Sequence, residues 1–312
     1  MTIRLGTRGS ALALAQAGRV RDAIVALGTS CELVPVTTAG DVSRASLAQI
    51  GGTGVFAGAL RAALHDGEVD LVVHSLKDLP VAPADGLVVA GVPEREDARD
   101  VLCASDGRTL DALPAGAVVG TGSPRRVAQL LDRRPDLEVV DLRGNVDSRL
   151  GRVGAGLDAV VLSRAGLARL GRLGAATEAM PLDTWPTAAG QGALALEVRE
   201  ADADPATALG AIVSALTDAG ARDAAFAERR VLGLLEAGCA APIGVASRIE
   251  ADGGSLWASV HRPGGGERLD RRRDVVLGGA DRGQALLAAA EHLAQDLLDA
   301  GAARLAPLGA TA

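Results

Sequence analysis

Residues 71–80 read LVVHSLKDLP. Leu71, Val72 and Val73 give an unbroken apolar run with no polar alternation, the pattern of a strand covered on both faces, as in parallel sheets flanked by helices. The run ends at Lys77 and Asp78, so it delivers two charged groups to a sheet edge, where α/β proteins bind ligands. Lys77 is the only lysine among 32 Lys+Arg cations, which invites a specific reason for it. The competing reading is a surface ion pair at a strand end, worth little energetically.

Upstream and downstream the same unit recurs. Ile3 to Thr7 reads as a strand, Ser10 as the cap of a helix over ALALAQAGRVRDAIVAL that Gly28 stops, and Glu32 to Thr37 as the next strand. GGTGVFAG leads into a helix reaching His65, and Leu87 to Val92 follows the 71–80 stretch as a further strand. A second series begins after EREDARD (94–100): VLCA, AVVGT, EVVDL and DAVVLS are strands, interleaved with helices opening at Ser123-Pro124, within LRGNVDSRL (142–150) and at RAGLARLG. Such alternation predicts parallel βαβ architecture. Arg8, Arg125, Arg126, Arg143, Arg149, Arg164 and Arg169 all fall on or near strand-to-helix turns. Arg125 and Arg126 occupy a first helical turn, where the dipole disfavours a cation, so something negative is expected to be bound there. Arginines gathered at one end of parallel sheets suit an anion with several carboxylates.

Helical runs over about 206–216 and 221–235 give way to VASRIE, a turn at 252–254, SLWASV, DVVL and an amphipathic helix over 284–300, the change of pattern beginning near residue 219. This reads as a small α+β domain with antiparallel strands. Cys239 lies on the loop before its first strand.

The bulk properties narrow the function. A chain of 312 residues is too long for one ordinary core, and with Phe56, Phe226, Trp185 and Trp257 as its only aromatics it must pack through aliphatic faces. A formal charge of −7 and the lack of aromatics interleaved with basic residues argue against nucleic-acid binding. No apolar run is long enough to span a bilayer and no leader pattern opens the chain, so a cytoplasmic protein with no membrane partner is expected. Cys31, Cys103 and Cys239 are too few and too scattered for a zinc site or disulfide framework; Cys31 and Cys103 read as small buried hydrophobes, and no metal is expected.

Taken together, GTRGSALALAQ, HSLKDLP, EREDARD, GTGSPRR, LRGNVDSRL, GQGA and GCAAPIG, in this order from Gly6 to Gly244, resemble the porphobilinogen deaminase (hydroxymethylbilane synthase) family. The resemblance implies an α/β fold of two periplasmic-binding-protein-like lobes around a cleft, plus a small α+β C-terminal domain with an antiparallel sheet. Its divisions would be 1–92 with 190–215, 93–189, and 219–312. It implies a transferase that condenses four porphobilinogen molecules head to tail with loss of ammonia, then releases the linear tetrapyrrole by hydrolysis. The primer would be a dipyrromethane held through a thioether to Cys239.

By motif position Asp78 resembles the catalytic carboxylate. Lys77, Ser123, Arg125, Arg126 and Arg143 resemble cofactor binders, and Arg8, Ser10, Arg149, Arg169 and Gln191 resemble groups that hold substrate or the growing chain. Phe56 falls where the family has an aromatic near the cleft, and a monomer is the family expectation. Ala39, Thr53 and Gly122 depart from the commoner arginine, lysine and serine, which bears on chain elongation. A two-lobed module that binds a polycarboxylate without chemistry would use the same arginines, and would give Cys239 no purpose.

Overall fold

The structure is a computed structural model that describes residues 1–37, 54–237, 241–277 and 281–308. Ala39, Thr53 and Cys239 lie outside the described residues, as does the side chain of Phe56. The chain forms two compact units, residues 1–96 with 193–222 and residues 97–192 with 223–312.

The first unit is built on a five-stranded sheet. Its strands are β1 (Thr2–Arg8), β2 (Ser30–Val36), β3 (Leu71–Ser75), β4 (Leu87–Gly91) and, returning after the second series, one at Leu194–Arg199. In space that last strand lies between β3 and β4 and runs antiparallel to both. The sheet is therefore mixed rather than wholly parallel. Its helices are α1 (Ala11–Ala26) and α2 (Gly54–His65), with a later one at Ala208–Leu216. Leu71 and Val73 pack with Ile3, Leu5, Val20 and Ile24 on one face, while Val72 packs with Leu60 and Leu64 on the other. That is why the run carries no polar alternation.

The second unit has a similar sheet of β5 (Asp100–Ala104), β6 (Val118–Gly120), β7 (Glu138–Val140), β8 (Ala159–Ser163) and β9 (Glu178–Ala179). β6 is parallel to β7 and β8, and β5 is antiparallel to β8. The helices α3 (Pro124–Arg133), α4 (Val146–Leu150) and α5 (Arg164–Arg169) follow β6, β7 and β8. The strand at 194–199 is β10 and the helix at 208–216 is α6. Next come α7 (Ala219–Leu234), β11 (Ile243–Ile249), β12 (Gly253–His261), β13 (Arg268–Val276), α8 (Arg282–Asp299) and α9 (Ala302–Leu305).

β11–β12–β13 form an antiparallel sheet whose core, including Val231, Val245, Leu256, Leu286 and Leu293, is distinct from those of β5–β9. Its third strand is longer than DVVL: it begins at Arg268 and carries six charged residues, all exposed, along the edge of the sheet. Among the described residues, no helix is long and apolar enough to cross a membrane.

Candidate functional site

In the first unit the expected site residues gather at one sheet edge. β1 and β3 are parallel neighbours, with Leu5 opposite Leu71, so β1 ends at Arg8 beside the end of β3. Ser10 caps α1 by accepting the Ala13 N–H (3.3 Å). After Ser75 the chain makes one tight turn over Leu76–Asp78. Buried Leu76 roots this turn, its N–H donating to the Ala193 carbonyl (3.1 Å), and buried Gln16 of α1 donates to the Ser75 hydroxyl (2.9 Å). Lys77 is half-buried and Asp78 is exposed.

Behind the turn, Glu197 accepts hydrogen bonds from Arg61 (2.8 Å) and lies 3.0 Å from His74 Nε2. Burial would raise its carboxyl, but His74 and Arg61 outweigh burial and hold it below the ordinary range.

In the second unit the turns after β6, β7 and β8 share one edge because those strands are parallel. β5 runs the other way, so its first residue lies at that edge, with Asp100 opposite Ser163. Asp100 is fully buried, and it places one of the chain's own carboxylates, where a bound anion was expected, beside the first turn of α3. It accepts from Arg126 Nη2 (2.6 Å), Gln191 Nε2 (2.8 Å) and Trp185 Nε1 (3.1 Å), and pairs with Arg125 Nη1 (2.9 Å). Burial pushes its carboxyl up, but the two guanidiniums and these hydrogen bonds hold it well below the usual carboxylate range.

Arg125 and Arg126 are thus buried partners of the chain's own carboxylate, not exposed cations. Gln191 is buried as well, with its amide nitrogen donating to Ala98 O (2.7 Å) as well as to Asp100. Sequence reasoning missed Asp100; its one signal was a carboxylate placed immediately before the apolar run of VLC.

The remaining candidates lie on the turns and helices that follow β6, β7 and β8. Ser123 occupies the N-cap of α3 without its hydroxyl capping the helix. Arg143 is exposed, with Nε 3.2 Å from Asp141. Arg149 is half-buried with Nε on Gly144 O (2.8 Å), and Arg169 is half-buried with Nη2 on Gly192 O (2.5 Å). A side chain at Gly122 would meet Leu142 O at 2.8 Å, so glycine there lets the chain pass close to the turn that follows β7. Cys103 is buried and Cys31 only half-buried, but burial pushes both thiols up to about 11, against any nucleophilic role.

The family model described as "Porphobilinogen deaminase, dipyromethane cofactor binding domain" matches residues 3–207. A porphobilinogen deaminase of Leifsonia xyli is 55% identical over 311 residues, covering 98% of this chain and 94% of that one. One of Cutibacterium acnes is 48% identical, covering 99% and 98%. The chain belongs to the porphobilinogen deaminase family. Among solved structures, an ABC-transporter periplasmic substrate-binding protein of Coxiella burnetii is similar over 73% of this chain and 96% of its own, at 17% identity and a TM-score of 0.44, a likeness too loose to add to the fold described above.

The residues present suit the acidic cofactor of a porphobilinogen deaminase. Two buried guanidiniums meet one carboxylate, so the Arg125–Arg126–Asp100 cluster keeps an excess positive charge at a helix N-terminus. Ser123 and Arg143 lie on the adjoining turns. This donor set matches a ligand that carries carboxylates.

Proposed function

We propose that the chain joins four porphobilinogen molecules head to tail on a dipyrromethane held by Cys239, releases ammonia at each addition, and frees the linear tetrapyrrole hydroxymethylbilane by hydrolysis. The observation that carries this reading is an exposed Asp78 at the end of a strand buried on both faces, in a chain matched along nearly its whole length by porphobilinogen deaminases.

In each addition the aminomethyl C–N bond of the incoming substrate breaks and ammonia leaves, the resulting azafulvenium-like carbon forms a C–C bond to a pyrrole carbon, and that carbon gives up its proton. Asp78 stabilises the cation and holds the pyrrole N–H. The dipyrromethane supplies the first pyrrole carbon from which growth starts. Lys77, as a mobile point charge, and Ser123 and Arg143 bind its carboxylates. Arg125 and Arg126 act through their surplus charge, and Arg8, Ser10, Arg149 and Arg169 hold the acetate and propionate groups of substrate and growing chain. Gln191 serves through Asp100.

Residues 219–312 act as a domain of their own in this reading, beside lobes 1–92 with 190–215 and 93–189. Its core, drawn from residues 227–308 apart from Ala189, supports that division. The protein works as a cytoplasmic monomer.

Intact mass of the protein as isolated tests the reading. The expected result is an adduct on Cys239 equal to two condensed porphobilinogen units less the ammonia lost. Mixing the protein with porphobilinogen should release ammonia; an unmodified protein that binds porphobilinogen and releases none would leave the non-catalytic binder as the answer.

A further inference from the structure

The segment Pro186–Gln191 is stitched to three elements. Its Pro186 carbonyl accepts from Gln129 (2.9 Å) and Arg125 (3.3 Å) of α3, and its Thr187 carbonyl accepts the Val245 N–H of β11 (2.7 Å). Ala188 O accepts the Gln191 N–H (2.9 Å), closing a turn with Gly190 at φ +74°. In such a turn the N–H of the third residue has no partner within the turn itself. That N–H is buried, and Glu228 Oε2 of α7 accepts it (2.8 Å). The other carboxylate oxygen, Oε1, accepts the hydroxyl proton of Ser247 on β11 (2.6 Å). Glu228 is itself buried, at 1% exposure.

α7 and β11 are the two elements that flank Cys239 in sequence. We infer that Glu228 is a positioning residue: its two oxygens bracket α7 and β11 on either side of the cofactor cysteine and fix both to the turn whose next residue, Gln191, orients Asp100 and, through it, Arg125 and Arg126. The inference rests on the function proposed above for its link to the cofactor, while the bracket itself does not.

The test compares wild type with Glu228→Ala, Glu228→Gln and Ser247→Ala, reading adduct occupancy by intact mass and native-state hydrogen exchange at Gly190 and Val245. Glu228→Ala should speed exchange at both amides roughly tenfold by removing their anchor, and should lower adduct occupancy severalfold, while amides of β1–β3 exchange as before. Glu228→Gln should retain both, because its amide oxygen can accept from Gly190 and its amide nitrogen can donate to Ser247 Oγ. Ser247→Ala should lie between.

Unchanged exchange in Glu228→Ala, full occupancy despite faster exchange, or Glu228→Gln failing as badly as alanine would each overturn the inference. If Glu228→Ala does not fold, Ser247→Ala decides it by the same two readouts. An adduct missing even from wild type would sink the proposed function, while the exchange arm still decides the bracket.

Discussion

Asp78 is exposed on a turn rooted by buried Leu76, so its chemistry and the fold are separable. Asp78→Glu keeps the charge and shifts it by one methylene; turnover is expected to fall about 100-fold, with the urea midpoint unchanged. Asp100 is the opposite case. Asp100→Asn should cost about 3–5 kcal/mol at neutral pH, because it leaves two buried guanidiniums without their anion.

The pH dependence follows from the depressed carboxyl of Asp100. A group whose folded pKa lies below its unfolded value stabilises fully above the unfolded value, about 3.9, and loses that stabilisation as pH falls toward the folded one. The difference in unfolding free energy between wild type and Asp100→Asn should therefore be constant from pH 5 to 7 and narrow below about pH 4. Lys77 and Asp78 were legible in the sequence because they follow directly on an apolar strand, and Arg8 because it ends one. The burial of Gln191 and the pairing of Arg125 and Arg126 with Asp100 were not, since they depend on which strand runs backwards.

At the scale of elements, β11 shows how a glycine can be dictated by a neighbour. A Cβ on Gly244 would lie 2.4 Å from Pro186 O, and Pro186 is held by α3. Gly244→Ala should destabilise by about 1–3 kcal/mol, read from the urea midpoint. Gly18 in α1 meets nothing within 4 Å, so Gly18→Ala should instead stabilise by up to about 1 kcal/mol.

Strands covered on both faces, such as Leu71–Ser75, were easy to read from their apolar runs. β13 was only partly readable because RLDRRRDVV lies along a sheet edge, where its arginines pair with Asp270, Asp274 and Asp296 instead of alternating with buried residues. The antiparallel courses of β5 and β10 left no trace in composition, because an apolar run has the same pattern in either direction.

For the whole molecule, the two-sheet plan was visible in the alternation of strands and helices, whereas the grouping of 223–312 with 97–192 in one compact unit depends on long-range contacts that no local pattern reports. A chain stopped after Gly192 would hold all five strands of the β5–β9 sheet and lack β10 of the other. Limited proteolysis of that fragment should cut residues 1–96 well before 97–192. β10 is an interior strand, bonded on both sides, so until it arrives β3 and β4 each present an unsatisfied backbone edge. During synthesis the portion encoded first must therefore wait, incompletely paired, while the ribosome finishes roughly another hundred residues, which at about 5–20 residues per second is a delay of several seconds or more. The later-made sheet can close first, and the amino-terminal one is the natural client for a chaperone in that interval.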